Sequence, residues 1–288
     1  MKRIATIGFF DGVHKGHQYL FSQLRSQAES KGLEALVVTF DRHPRSLLDA
    51  DYVPQLLTTR EERIALLEQE AAHVLVLDFS EIRSMTAAEF MIYLRDRADV
   101  SVLMMGYDHR FGSDRLTRPQ DYRRTGAACG ICVQTIGEYA EGEWHVSSTE
   151  IRQALEKGNI AVANELLGRP YSLSGEVVHG NGIGRTIGFP TANIAPENNE
   201  KITPKNGVYL VKAYGEGIES DGILNIGTNP TVGNKTRSIE LHLPSFTGDL
   251  YGKRLTIGFQ RYLREEKRFD GLQELQLQIA QDVASIRH

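Results

Sequence analysis

Two textures divide the chain. From the N-terminus, short apolar runs alternate with segments whose apolar residues recur every three or four positions. The run Arg3-Ile4-Ala5-Thr6-Ile7-Gly8-Phe9-Phe10 reads as a buried strand, ended by Asp11-Gly12. From His17 to Lys31, the residues Leu20, Phe21, Leu24 and Ala28 form one helical stripe, and Gly32 supplies the stop just past it. The same periodicities predict strands at Leu36–Phe40, Val74–Leu77, Val100–Met105 and Ile131–Ile136, and helices at Thr58–Ala71 and Ala87–Leu94. Strands alternating with helices build a parallel sheet covered on both faces, with ligands beyond the carboxyl ends of the strands. Gly8–His17 and Gly106–Gly112 fall there.

Two more helices are predicted at Ser147–Lys157 and Ile160–Leu167, and after Gly168-Arg169-Pro170 the pattern changes. Short strands at Ser172–His179, Gly207–Ala213, Gly222–Ile226, Ser238–Leu243 and Arg254–Tyr262 are divided by Gly, Pro and Asn. No helix is predicted among them until Leu272–Ile286, where Leu275, Ile279, Val283 and Ile286 mark an apolar stripe. Closely spaced strands of this kind make an antiparallel barrel. The expected organisation is an α/β parallel-sheet domain over 1–168 and a small antiparallel β-barrel domain with a C-terminal helix over 169–288.

Composition and charge narrow the class. Of 288 residues, 41% are hydrophobic and 24% charged, which is globular composition and excludes collagen, coiled coil and wholesale disorder. Residues 171–288 carry 13 basic and 13 acidic side chains, so the net charge of -4 belongs to the first 170 residues. Neither half has the basic surplus of a protein that grips nucleic acid through its phosphates. No run approaches a membrane helix, the first ten residues lack a signal-peptide layout, and two cysteines, Cys129 and Cys132, make no disulfide framework. Cytoplasmic residence, with no membrane or nucleic-acid partner, is the expectation.

The most informative stretch is Gly8-Phe9-Phe10-Asp11-Gly12-Val13-His14-Lys15-Gly16-His17. It follows a strand and opens a helix, so backbone N–H groups and the helix dipole favour an anion there. His14 and His17, three apart, share one face of the first turn, where two imidazoles can stabilise charge building on an α-phosphate during in-line attack. Metal ligation competes, but no third ligand stands at a telling spacing. A second anion site is offered by Ser147-Ser148-Thr149-Glu150-Ile151-Arg152. Ser147 and Glu150 equally form a capping box, which leaves the row of hydroxyls and Arg152 to suit a triphosphate.

Gly8–His17 with Ser147–Arg152 resembles the H-x-G-H and S-S-T-x-I-R pair of nucleotidylyltransferases. Over nearly its whole length the chain is similar to the bacterial bifunctional riboflavin kinase/FAD synthetase family. Val38–Pro44 is similar to that family's F-x-P-H-P segment, and Leu57–Arg63 and Gly106–Gly112 follow in family order. The resemblance implies a nucleotidylyltransferase-type, Rossmann-like first domain that transfers AMP from ATP to FMN and releases pyrophosphate. It implies that His14 and His17 stabilise the transition state and that Gly8, Phe9, Phe10, Asp11 and Gly12 form the nucleotide turn. Ser148, Thr149 and Arg152 would hold the leaving phosphates, with Asp108 and Arg110 on the flavin side. Phe9 stands where many members carry Asn or Thr, and Arg42 replaces the usual Pro.

In the second half, Gly180–Pro190 fails as a dinucleotide fingerprint. Its third glycine comes one residue late, and Pro190 follows instead of a helix. A glycine-rich connection that lets backbone approach a nucleotide fits better, with Gly182, Gly184, Arg185 and Gly188 as the contacts. Pro190-Thr191-Ala192-Asn193 reads by itself as a turn, or as two small polar side chains for Mg²⁺ and phosphate oxygens. Asn225–Gly233, Ser238–His242, Asp249–Lys253 and Leu263–Phe269 resemble the riboflavin kinase module in order and spacing. By that resemblance Thr191 and Asn193 hold the metal, and Arg264 and Phe269 stand on the flavin side. Glu240, on the strand face opposite Ile239 and Leu241, can accept the proton of a ribityl hydroxyl as it attacks the γ-phosphate of ATP.

Cys129-Gly-Ile-Cys132 lacks a second pair and a nearby His, and the remaining histidines are scattered. The expected activity is phosphorylation of riboflavin to FMN and adenylylation of FMN to FAD, with riboflavin, FMN, ATP and Mg²⁺ as small-molecule partners. Two alternatives stand beside it. One is a flavin or nucleotide sensor with one activity lost; the other is a tRNA-ligase relative, which usually carries a lysine-rich second signature absent here.

Overall fold

A computed structural model describes the chain except residues 50, 107–108, 138–139, 142–143, 180–183, 185–186, 229–236 and 288; of 48, 140–141, 144–145 and 287 only the backbone is described. The chain divides into two compact units, Met1–Ser148 and Thr149–His288.

The first unit is built on five parallel strands, β1 (Arg3–Ile7), β2 (Glu34–Phe40), β3 (His73–Leu77), β4 (Val100–Gly106) and β5 (Cys132–Ile136). Their spatial order is β3-β2-β1-β4-β5. β1 is therefore central, and the chain reverses direction across the sheet between β1 and β4, where open α/β sheets place their ligands. Helices α1 (Lys15–Lys31), α2 (Pro44–Leu48), α3 (Arg60–Glu70), α4 (Phe79–Ile82), α5 (Ala87–Ala98) and α6 (Pro119–Ala128) connect the strands. α1 ends at Gly32 in the left-handed region, and α3 and α5 start with Thr59/Glu62 and Thr86/Glu89 capping boxes. One face of the sheet buries Phe21, Leu24 and Leu67; the other buries Phe90, Met91 and Leu94. A short β6 (Ala140–Glu141) and β7 (Trp144–His145) pair before α7 (Ser148–Glu156).

The second unit holds the last eight residues of α7, α8 (Ile160–Leu167) and the strands β8 (Ser172–Val178), β9 (Ala192–Pro196), β10 (Gly207–Gly215), β11 (Ile218–Thr228), β12 (Arg237–His242) and β13 (Arg254–Arg264). The strands close into an antiparallel barrel in the order β10-β11-β12-β9-β8-β13, followed by the C-terminal helix α9 (Leu272–Ala284). α8 is tied to the barrel: Asn164 Nδ2 donates to the Phe259 carbonyl at 2.8 Å, and its Oδ1 accepts from Tyr171 N–H at 2.7 Å. Alternation fills the interior with Tyr209, Leu224, Leu241, Ile257 and Phe259, all essentially inaccessible. The expected parallel α/β domain followed by a β-barrel with a C-terminal helix is the fold.

Pro190–Asn193 is not a simple turn, because Ala192 and Asn193 begin β9. α6 and the short α2 and α4 have no counterpart among the predicted helices. Among the described residues, no helix is long and apolar enough to cross a membrane.

Candidate active sites

At the carboxyl end of β1 the backbone turns sharply before α1. Phe10 and Val13 adopt φ of 57° and 41°, and Gly12 80°. Positive φ costs a non-glycine residue of order 1–3 kcal/mol, so the surroundings must hold the turn. Asp11 does this. Its buried carboxylate accepts from Leu57 N–H at 2.9 Å, Thr58 N–H at 3.2 Å and the Thr58 hydroxyl at 3.2 Å. Thr58 Oγ1 in turn accepts from Gly12 N–H at 3.1 Å, and the Ser148 hydroxyl donates to the Asp11 carbonyl at 3.0 Å. Asp11→Asn places an amide N–H₂ among donors and is expected to cost about 1–3 kcal/mol. A lowered melting temperature of the first unit, with FAD formation impaired and riboflavin phosphorylation intact, is the expected measurement.

The turn delivers the two histidines. His14 caps α1 and is buried; His17 stacks on it with ring centroids 3.6 Å apart and 21° between planes. Phe10 packs edge-on against His17 at 5.2 Å. Gly16 leaves room for this, since a Cβ there would meet the His14 ring at 3.2 Å and the Val146 carbonyl at 3.3 Å. The first turn of α1 carries no acidic residue, so the positive end of the helix is not offset there.

Phe9 lies beneath this turn with the Arg63 guanidinium carbon 3.9 Å from its ring centre and His43 edge-on at 4.8 Å. Arg63 is fully buried, and Nη2 donates to the Phe40 carbonyl at 2.6 Å. Burial pushes its pKa down to about 10, with Asp11 opposing that shift. Of the remaining predicted residues, Gly8 donates its N–H to the Val38 carbonyl at 3.1 Å. Thr149 is exposed and Arg152 half-buried on α7. Arg110 is exposed with Nη1 on the His109 carbonyl at 2.9 Å. Asp108 lies outside the described residues, as do Gly182 and Arg185.

In the second unit, one row of residues crosses four strand pairs. Asn193 faces Glu240, Glu240 faces Asn225, Asn225 faces Val208 and Val208 faces Arg264. Alternation turns this row away from the barrel interior. Glu240, Asn225, Val208 and Arg264 of this row line a cavity of about 290 Å³, together with Thr191, Glu266, Phe269, and Leu275 and Ile279 of α9. Burial, helped by the neighbouring charge of Glu266, raises the Glu240 pKa above its usual value. Glu266 is held by Asn206, whose Nδ2 donates to it at 3.2 Å. Arg264 is bound to Asp282 of α9.

Thr191 also borders a second cavity of about 100 Å³, with Pro190, Phe246, Asp249 and Tyr251. Beside it Gly184 has no room for a side chain: a Cβ would strike the Phe189 carbonyl and come within 3.1 Å of Thr191 Oγ1. Gly188, exposed at φ 82°, has open space around it. Pattern reading alone missed Thr58, Arg63 and Asp282. Only Asp282 left a signal, a carboxylate three residues after Ile279 on the covered stripe of α9.

Residues 1–150 match the FAD synthetase family and residues 167–288 the riboflavin kinase family. The bifunctional riboflavin kinase/FMN adenylyltransferase of Escherichia coli (strain K12) is 37% identical over 288 residues, which cover 99% of this chain and 91% of that protein. Its counterpart in Bacillus subtilis (strain 168) is 38% identical over 291 residues, covering 98% of this chain and 90% of that protein. A crystal structure from Streptococcus pneumoniae, described as a macrolide-efflux protein, is 31% identical with a TM-score of 0.91, covering 100% of this chain and 94% of that one. Matched in each half and along nearly its full length, the chain belongs to the bifunctional riboflavin kinase/FMN adenylyltransferase family, with the FAD synthetase module first and the riboflavin kinase module second.

Proposed function

We propose that the two activities of this enzyme reside at the His14/His17 turn and at the Glu240 cavity. The observation that carries the first is the stacked imidazole pair at the mouth of the central strand. There a phosphate oxygen of FMN attacks the α-phosphorus of ATP, the bond to the β-phosphate breaks, and pyrophosphate leaves. His14 and His17 stabilise the charge that builds on the α-phosphate, and the N-terminus of α1 adds its dipole. Ser148, Thr149 and Arg152 hold the departing phosphates, and Asp108 and Arg110 serve the flavin side.

In the barrel, the carboxylate of Glu240 takes the proton of the riboflavin 5′-hydroxyl as that oxygen attacks the γ-phosphorus of ATP, and ADP leaves. The buried setting that raises its pKa makes Glu240 a stronger base than an exposed glutamate. Thr191 borders both cavities, which we assign to acceptor and donor. The Thr191 hydroxyl and the Asn193 amide oxygen are hard oxygen donors of the kind that suit Mg²⁺ beside substrate phosphates, and the close packing of Gly184 keeps the Thr191 side free of a side chain. Bound there, Mg²⁺ would neutralise charge on the β- and γ-phosphates. The glycine-rich connection with Gly182, Gly184, Arg185 and Gly188 approaches the nucleotide. We place the enzyme in the cytoplasm, with small molecules and no nucleic acid as partners.

The functional boundary we propose lies between 168 and 169. Residues 169–288 expressed alone are expected to form FMN from riboflavin, ATP and Mg²⁺, and to stop when a chelator is added; residues 1–168 are expected to convert FMN to FAD. A fragment 149–288, which retains the Asn164 bonds to Phe259 and Tyr171, is expected to melt at a higher temperature than 169–288. Inert fragments in both halves would refute the assignment.

A further inference from the structure

Arg264 closes β13 and lines the cavity, yet its hydrogen-bonding edge is already engaged. Nε and Nη2 donate to the Asp282 carboxylate at 3.0 and 2.7 Å, and Nη1 donates to the Glu265 carbonyl at 3.0 Å. A guanidinium grips carboxylates and phosphates through paired donors on one edge. With three of its five N–H groups taken, including the pair on the Nε edge, Arg264 meets a ligand chiefly through its planar face, the face that stacks on aromatic rings. The Phe269 ring lies 6.0 Å from its central carbon, and Leu275 and Ile279 face the same space.

Asp282 has no hydrophobic reason to be where it is. It is the buried residue of α9, its side chain only 7% exposed, and a third donor, Gln278 Nε2, reaches it at 3.2 Å. Burying a carboxylate is unfavourable unless it is paired and hydrogen-bonded. Gln276 Nε2 on the same helix donates to the Ile187 carbonyl at 3.1 Å, so α9 is fastened at two points around the cavity.

We propose that Asp282 is a positioning residue for riboflavin phosphorylation: it fixes Arg264 so that the flat guanidinium face, beside Phe269, receives the flavin ring. The ring then lies toward α9 and the ribityl chain toward Glu240. This rests on the cavity being the riboflavin site.

The test is steady-state kinetics of riboflavin phosphorylation by the full-length enzyme. Asp282→Asn is expected to raise KM for riboflavin about tenfold, with kcat and KM for ATP within about twofold. Asp282→Glu, which keeps the charge, gives a smaller rise. Arg264→Lys preserves the buried pair but removes the plane, and is expected to match Asp282→Asn; combining the two adds no further increase. An unchanged riboflavin KM in Arg264→Lys overturns the proposal, and so does a parallel loss in kcat and both KM values in all variants. If Asp282→Asn does not fold, Arg264→Lys and Asp282→Glu decide the matter. Glu240→Gln separates this idea from the site assignment: normal phosphorylation by that variant rejects the cavity, whereas its inactivity beside a wild-type KM in Arg264→Lys rejects only the role of Asp282.

Discussion

Replacing His17 with alanine is expected to cut FAD formation by about 10²–10³-fold, corresponding to roughly 2.7–4 kcal/mol of lost transition-state stabilisation, while FMN accumulates in the same incubation. The effect is large because His17 is placed by its neighbours and not by chance. It lies against His14 on one face and Phe10 at its edge, on a turn that Asp11 and Thr58 hold in a left-handed conformation. On the proposed assignment riboflavin phosphorylation relies on Glu240 of the barrel instead, so it is expected to proceed. Chromatography of one incubation with riboflavin, ATP and Mg²⁺ separates the two products. Equal loss of FMN and FAD would show that the imidazole pair is not specific to adenylyl transfer.

Glu240→Gln is expected to do the reverse. FMN formation falls by about 10²–10⁴-fold, the usual contribution of a positioned base, and supplied FMN is still converted to FAD. Two side effects follow from the raised pKa of this carboxylate. If Glu240 is the base, it must be ionised to act, so the acid limb of kcat in the parent enzyme is expected to lie above the ordinary glutamate value. A carboxylate whose folded pKa exceeds its unfolded pKa favours the folded state most at low pH, and that advantage is lost as pH rises through the folded value. Above the folded value the ionised Glu240 therefore weakens the barrel, and in that pH range the glutamine variant is expected to melt at a higher temperature while being a poorer kinase. A lower melting temperature would indicate that the carboxylate supports the fold.

The parallel sheet was legible because buried strands such as Leu36–Phe40 are apolar runs and α1 carries a clean stripe. α6 was hidden: its buried residues are only Tyr122 and Gly126, too few to mark an apolar stripe. β9 was hidden for a different reason. It is short, contains two alanines and ends on Pro196, so its strand character comes from pairing with β8 and β12. Residue type and local spacing single out the histidine pair in the sequence, whereas Glu240 stands out only through the resemblance to the riboflavin kinase module. The clamp of Asp11 on residues 57–58 and the row Asn193–Glu240–Asn225 could not. They depend on which backbone groups the tertiary fold brings opposite one another. Arg63 sits within a charged stretch that reads as solvated, and only the folded chain shows its guanidinium buried under Phe9.

The barrel closes through β13, whose partners include β8, so Gly258 must find Ser172 across most of the second unit. The first sheet needs no residue beyond β5 to be complete. On a ribosome, where domains fold as they emerge, the adenylylating half can take shape while the strands of the phosphorylating half are still being made. Nascent chains stalled before residue 254 should accordingly resist protease over 1–136 and remain cleavable within 172–242. The enzyme would thus acquire the second step of its two-step chemistry before the first.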